Sequence, residues 1–394
     1  YPSNAGLLAA IFSPGSNALL NLGQTLSVQT ESNSNCTLSL YDNGSLLSTL
    51  SNATTLNYLL TVTLPGNHCV KLIASNGVST VSDSVYYTVN PPTNYQNPPN
   101  GMKNGINYLN DSTVLLQLYA PEKNNVYVLG DFNSWQTDVN YHMNCTTDSL
   151  RRWLVISGLT PGQKYGYQYY IDGILKIADP MSPLILDPNN DPNINALTYP
   201  NPHPYPIGLT SGFITIMQPG APDFSWQNDN FIPVPKKDLL IYELLVRDFV
   251  AKHNYQTIID TLDYFSSLGI NSIELMPPGE FENNESWGYN PSFHMALDKY
   301  YGSPEKFKEL VDSCGEHEVS IISYNIQQSN KPPHNLRFLL QYKYLMSVKD
   351  VYSHVVLTDS RDVYFHSDPF PRLIELLDDR DIVCGSECIA YQDE

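Results

Sequence analysis

The hydrophobic pattern changes period at Asp238, and this switch constrains the fold more than any other feature of the chain. Upstream, the segments "TLSVQT", "TLSLYDNG", "LNYLLTVTL", "HCVKLIAS" and "SVYYTVN" alternate apolar and polar residues. That two-residue period belongs to strands with one face buried, and Asp42-Asn43-Gly44 and Ser75-Asn76-Gly77 are turn chemistry between them. Downstream, "DLLIYELLV" is a near-continuous apolar run, the mark of a strand buried on both faces of a parallel sheet. "YQTIIDTLDYFSSLG" then has helical period, with Gly269 placed as a C′ residue. The strand "INSIELMP" and the loop "WGYNPSF" follow. They lead to the helix "SPEKFKELVDSCGEH", with Ser303 as N-cap and Pro304 at N1, and to the strand "VSIISYN". The order β-α-β-α-β predicts a parallel α/β architecture.

The expected fold class is therefore multidomain: two N-terminal β-sandwiches followed by an incomplete parallel α/β domain. Residues 1–92 predict an immunoglobulin-like sandwich, ending in the Pro/Asn-rich linker Asn90–Gly101. Residues 93–235 predict a second β-sandwich, with strands in "STVLLQLYAP", "NVYVLGDF", "RRWLVISGL" and "KYGYQYYIDG". Its last part, from Pro180 to Pro235, has no helix-period run and reads as an extended connector. Residues 236–318 form the first α/β unit. In residues 319–394 the theme repeats, with helices in "LRFLLQYKYLMS" and "FPRLIELLDD" and strands in "SHVVLTD" and "DIVCGSE".

Composition excludes several partners. Lys+Arg 21 against Asp+Glu 40 gives a formal net charge of −19, which repels a phosphate backbone and argues against nucleic acid. No uninterrupted apolar run reaches the roughly 18 residues of a membrane span. The six cysteines form no CxxC pair and no His cluster accompanies them, which argues against structural zinc; Cys36 and Cys69 are open to either a disulfide or two buried thiols. The Asn/Ser/Thr-rich, Lys-poor first third suits an extracellular or periplasmic protein, although no signal peptide is seen.

Two stretches carry a family resemblance. "VYVLGDFNSWQ" (Val126–Gln136) resembles the early-set β-sandwich that precedes the barrel in isoamylases and branching enzymes, a class also used as a glycogen-binding module. "LLIYELLVRDF", "IDTLDYFSSLGINSIELMPPGEF" and "SWGYNPSFHMALDKYYGSPEKFKELVDSC" resemble, in order and spacing over Leu239 to Cys314, the first two βα units of an α-amylase-family barrel. A barrel of that kind places function at the C-terminal ends of its strands. Here those ends carry Glu243, Arg247–Asp248 and Pro277–Glu280, followed by the loop Trp287–Asn290. The resemblance implies that Tyr289 lines the subsite holding the sugar, with Trp287 and Asn290 beside it, because aromatic faces stack on the C–H faces of pyranose rings. Trp135 has two readings, a glucan-stacking surface or a core side chain beneath the "GDFN" turn.

The resemblance stops before the family's catalytic carboxylates. Its third strand ends in "D-x-x-x-N-H", whereas this chain has "VSIISYNIQQSN" (Val319–Asn330), and no "G-F-R-x-D" follows. Only 394 − 237 = 157 residues follow Lys237, against about 250 for a full barrel. Asp359 ends a later strand, but Leu357 stands where the nucleophile motif requires Arg. "HNLRFLLQYKYL" and "YSHVVLTDSRDVYFHSDPF" resemble instead a glycosyltransferase with a nucleotide-sugar fold, which places a junction near residues 314–319. In that reading Asp359 and Asp362 hold Mg or Mn on a sugar nucleotide. Two βα units alone leave open strand edges, so a poorly packed C-terminal half is expected.

The leading expectation is an α-glucan-acting glycoside hydrolase of the α-amylase family without turnover in this chain, needing no cofactor, with starch or glycogen as partner. The alternatives are a non-catalytic α-glucan-binding protein and a metal-dependent glycosyltransferase.

Overall fold

The computed structural model of the protein describes residues 6–15, 18–228, 231–232, 234–235, 238–317 and 319–322. The first sheet holds β1 (Ala9–Ser13), β2 (Ala18–Leu20), β3 (Thr25–Asp42), β4 (Ser45–Thr61), β5 (Gly66–Ser75) and β6 (Thr80–Val89). Its order is β1-β3-β5-β6-β2, with β4 also on β3, and only the β2–β6 pair is parallel. The expected short strands "TLSVQT" and "TLSLYDNG" are one strand of 18 residues, β3, and "LNYLLTVTL" overlaps the end of the 17-residue β4. The reason is an irregularity: the β3–β4 register shifts between Glu31 and Cys36, which interrupts the alternation, yet the two strands keep pairing on either side of it. The reversal itself is at Asn43-Gly44, both at positive φ (46° and 81°), the backbone that a two-residue hairpin requires. Alternate residues of β3, Leu26, Val28, Leu38 and Leu40, are buried with Val70, Leu72, Ala74 and Tyr87.

Nine strands follow: β7 (Gly105–Asn110), β8 (Thr113–Tyr119), β9 (Val126–Gly130), β10 (Asn144–Cys145), β11 (Arg151–Ile156), β12 (Tyr165–Ile171), β13 (Leu175–Ile177), β14 (Ile185–Leu186) and β15 (Ile214–Met217). They form two antiparallel sheets, β10-β11-β8-β7 and β13-β12-β15-β14, with β9 added to β12. Val114, Leu116, Leu118, Val126, Val128, Tyr167 and Tyr169 share their core. The stretch expected to be a plain connector departs from that reading, because β14 and β15 lie within it. β15 is buried along its whole length and pairs with Tyr165–Tyr167. Four residues among prolines and asparagines are too few for a period to show.

The remaining elements are β16 (Ile241–Leu244), α1 (Val246–Phe249), α2 (Tyr255–Ile259), α3 (Leu262–Ser267), β17 (Ser272–Leu275), β18 (Gly279–Phe281), β19 (Pro291–Leu297), α4 (Pro304–Glu316) and β20 (Ser320–Ile322). β16, β17 and β20 are parallel neighbours in that order. The helix expected from "YQTIIDTLDYFSSLG" is split between α2 and α3, where Thr261 Oγ1 donates to the carbonyls of Thr257 and Ile258. It closes on Gly269 (φ 77°): Gly269 N donates to Ser266 O, and Ile270 N to Phe265 O. Ser303 caps α4 by accepting from Lys306 N, with Pro304 in the first turn. Leu244, Tyr255, Ile258, Leu262, Phe265, Ile273 and Leu310 pack between sheet and helices. "WGYNPSF", expected in a loop, enters a strand: Pro291 opens β19, which folds back on β18.

Side chains tie the sheets together. Thr88 Oγ1 donates to Thr137 Oγ1 at 2.9 Å, and Val139 N to Asn67 Oδ1 at 3.0 Å. Phe213 and Phe293 meet edge to face at 5.3 Å. Cys36, Cys69, Cys145 and Cys314 are free thiols, so no disulfide joins Cys36 to Cys69. The helices and strands expected beyond Ile322, and the junction with its poorly packed half, lie outside the described residues.

Candidate functional site

The β18–β19 hairpin projects Trp287, Tyr289 and Asn290 from its tip. Glu282 N donates to Asn290 O at 3.3 Å and closes the loop. Inside it, the Ser286 hydroxyl donates to Asn290 Oδ1 and accepts from Gly288 N at 2.9 Å. Gly288 lies at φ 85° and presses on the chain after β17, where a Cβ would stand 2.0 Å from Pro277 O. Only glycine makes that approach, so the backbone between the two aromatic residues is fixed. Trp287 is 52% exposed and Tyr289 39%, although both also have contacts within the protein. The structure therefore places three of the four expected contact residues on one exposed tip, at the C-terminal side of the parallel strands.

Trp135 is not among them. It is 1% exposed, and its indole Nε1 donates to Asp131 Oδ1 at 3.0 Å. Its ring packs with Tyr127, Leu129, Leu186, Ile214 and Ile216, so it offers no face to a sugar. The same Asp131 carboxylate accepts from Gly166 N at 2.6 Å and lies 3.0 Å from His203 Nε2. Burial pushes the Asp131 carboxyl up, but the bonds from His203, Gly166 and Trp135 outweigh it and hold it below the ordinary carboxylate value. "GDFNSWQ" is a structural turn. Arg247 and Asp248, at the end of the first parallel strand, pair with each other at 2.6 Å.

Beneath the tip lies a charged cluster with no signal in the spacing of its residues. Lys299 Nζ is 2.7 and 2.8 Å from the Glu280 carboxylate oxygens and 3.3 Å from Asp191 Oδ1. Asp298 adjoins it, accepting from Phe281 N and Tyr300 N. Glu280, Asp298 and Lys299 are all buried. Burial is the main force on each carboxyl: Glu280 is pushed up to about 8 and Asp298 to about 6. Burial also works against the Lys299 ammonium, but Glu280 and Asp191 more than offset it and raise its value. Three carboxyl groups thus face one ammonium, which favours the cation while burial disfavours ionising all the acids together. The cluster ties the hairpin to the segment around Asp191, and Asn284 Nδ2 adds a bond to Asn190 O at 2.9 Å.

Among the described residues no group of His, Cys, Asp or Glu is arranged to hold a metal ion. Asp359 and Asp362, expected as metal ligands in the transferase reading, lie outside the described residues.

No family model matches the chain. It is 33% identical over 102 residues to a malto-oligosyltrehalose trehalohydrolase of Saccharolobus solfataricus, covering 26% of this chain and 18% of that protein. It is 31% identical over 221 residues to the 1,4-alpha-glucan branching enzyme GlgB of Nitrosomonas europaea, covering 52% of this chain and 27% of that enzyme. The chain thus spans less than a third of the length of these curated relatives. Among solved structures it is similar to the pullulanase SAP of group B Streptococcus in complex with maltotetraose, with 18% identity, 78% of this chain and 44% of that chain covered, and a TM-score of 0.42.

Proposed function

We propose that the chain belongs to the α-amylase family of glucan-acting enzymes and contacts α-glucan through the β18–β19 tip. The observation that carries this reading is the exposed Trp287–Tyr289 pair on a backbone locked by Gly288 against Pro277. Aromatic faces held this way suit the apolar faces of glucose units, and Asn290 supplies polar atoms beside them. The net charge of −19 favours a neutral glycan over an anionic one.

In this reading residues 1–92 are an immunoglobulin-like domain and residues 93–235 an early-set domain. Residues 236–318 are the first two βα units of a barrel. Hydrolysis by the family's route needs two carboxylates about 5 Å apart on later strands. "VSIISYNIQQSN" departs from the motif that introduces them, so the chain binds glucan without cutting it. An extracellular or periplasmic location, with starch or glycogen as ligand, belongs to the same proposal.

The test is titration of maltoheptaose into the full chain, its Trp287→Ala and its Tyr289→Ala variants, with reducing-sugar release followed in parallel. Binding weakened about tenfold in each variant, roughly 1.4 kcal/mol, supports the reading. Equal affinity in parent and variants, or no binding by the parent, overturns the glucan contact. Released reducing sugar overturns the absence of catalysis.

A further inference from the structure

A cavity of about 400 Å³ opens on the seam between the first sheet and the second β unit. The first sheet and the loops beside it supply Asn21, Gln24 and Asn90, with Leu19 as the apolar wall. Asn124, Asn125 and Asp172 face them from the second unit. Six of the seven lining side chains are therefore amide or carboxylate. Neither unit builds this lining alone.

The polar groups are held in place. Tyr127 OH donates to Asn90 Oδ1 at 2.9 Å, and Asn90 Nδ2 donates to Asn21 Oδ1 at 2.9 Å. Asn21 N donates to Gln24 Oε1 at 2.7 Å. His142 Nε2 lies 3.0 Å from Asn125 Oδ1. Asp172 Oδ1 accepts from both Asn124 N and Asn125 N, at 3.0 and 2.8 Å. The loop carrying these asparagines is pinned from behind, where buried Arg152 donates to the Lys123 carbonyl. Leu19 packs against Gly173 and the core around Tyr127 and Trp135, which fixes the seam.

We propose that this seam cavity is a second saccharide site, taking the end of a neutral oligosaccharide one or two hexose units deep. The argument is chemical. Primary amides carry donors and acceptors together, as sugar hydroxyls do, and the bonds above engage the oxygens of Asn21, Gln24 and Asn125 while their NH2 groups and the Asn124 amide face the cavity for hydroxyls to pair with. A single carboxylate with one oxygen already satisfied leaves the other to accept from a hydroxyl. No lining residue is a cation, so an anionic ligand has nothing to pair with. The volume lies in the range of small-ligand sites. The amide lining stands independently of the hairpin tip, and the α-glucan reading enters only in the choice of probe.

The experiment titrates maltotriose and, separately, the β-linked cellotriose into the full chain, calorimetrically. The variants are Asn124→Trp, which fills the cavity from an exposed loop position, Gln24→Ala, which removes one amide, and the double variant Trp287→Ala/Tyr289→Ala at the tip. The expected result is a binding component that Asn124→Trp abolishes, that Gln24→Ala weakens about fivefold, and that the tip variant retains. Should Asn124→Trp melt lower than the parent, Gln24→Ala decides alone. If cellotriose but not maltotriose behaves this way, the cavity proposal stands and the α-glucan reading falls. If binding is lost only in the tip variant, the cavity is a water-filled seam and the glucan reading stands. If neither sugar binds, both fall.

Discussion

Lys299 joins the hairpin to the segment around Asp191 at a single buried atom. Its ammonium faces Glu280 and Asp191 directly, with Asp298 next in the chain, at 1% exposure for the lysine. Removing one partner of such a pair leaves uncompensated charge in the interior, whereas removing both leaves a smaller defect. Lys299→Met is expected to destabilise the fold by about 3–5 kcal/mol. The double variant Lys299→Met/Glu280→Leu should regain part of that loss, as read by urea denaturation of both proteins. A double variant no more stable than the single one would count against ion pairing as the cause. Trp135 makes a complementary case. Trp135→Phe keeps an aromatic side chain but replaces the bicyclic indole with a smaller ring and loses the bond to Asp131, a charge-assisted bond worth about 1.5–3 kcal/mol. Stability should fall by at least that amount while affinity for maltoheptaose stays unchanged. A loss of affinity without a loss of stability would return Trp135 to the binding surface.

At the scale of elements, the β18–β19 hairpin is where local backbone chemistry and the candidate site coincide. Gly288→Ala places a Cβ against Pro277 O at a positive φ, so the tip must rebuild. The expected outcome is a cost of about 1–3 kcal/mol together with weaker maltoheptaose binding, checked by melting and titration of the same preparation. Unchanged binding would show that the tip's backbone is not what presents the two aromatic residues. The same hairpin marks how far the sequence could be read. Elements whose signal lies within their own residues were legible: the Asn43-Gly44 reversal, the Ser303 cap and the Gly269 stop each depend on one or two side chains or φ values. The family resemblance singled out Trp287, Tyr289 and Asn290, and what the structure adds is that all three stand on one exposed tip. Pairings between distant segments were not. β15 finds its partner in β12, and Lys299 finds Asp191 more than a hundred residues away, with no spacing to announce either. Trp135 was ambiguous because an exposed and a buried indole have the same sequence neighbours. Only packing against Leu186, Ile214 and Ile216, from the stretch read as a connector, decides between them.

Across the whole molecule, the seam and the hairpin should respond to pH in opposite directions. His142 lies at the seam; burial, helped by Arg152, lowers it from 6.5 to about 4. Its folded value lies below its unfolded one, so the neutral ring's contribution is complete above pH 6.5 and is lost as pH falls through 4. Glu280 and Asp298 lie under the hairpin, where burial raises them to about 8 and about 6. Their folded values lie above the unfolded ones, so their contribution is complete below about pH 4 and is lost as pH rises through 6 and then 8. Asp131, held below its ordinary value, keeps its contribution above the ordinary carboxylate range and loses it as the solution turns more acid. Hydrogen exchange of the full chain at pH 5 and pH 8, corrected for intrinsic rates, separates the two effects by segment. Peptides covering β9 and residues 131–142 should be better protected at pH 8, and those covering β17 to β19 at pH 5. Glu280→Gln should flatten the second trend and leave the first intact, because nothing in the hairpin cluster touches His142. A change in both trends would mean that the seam and the hairpin open as one cooperative unit, whereas no trend at the hairpin would mean that Lys299 keeps Glu280 ionised throughout.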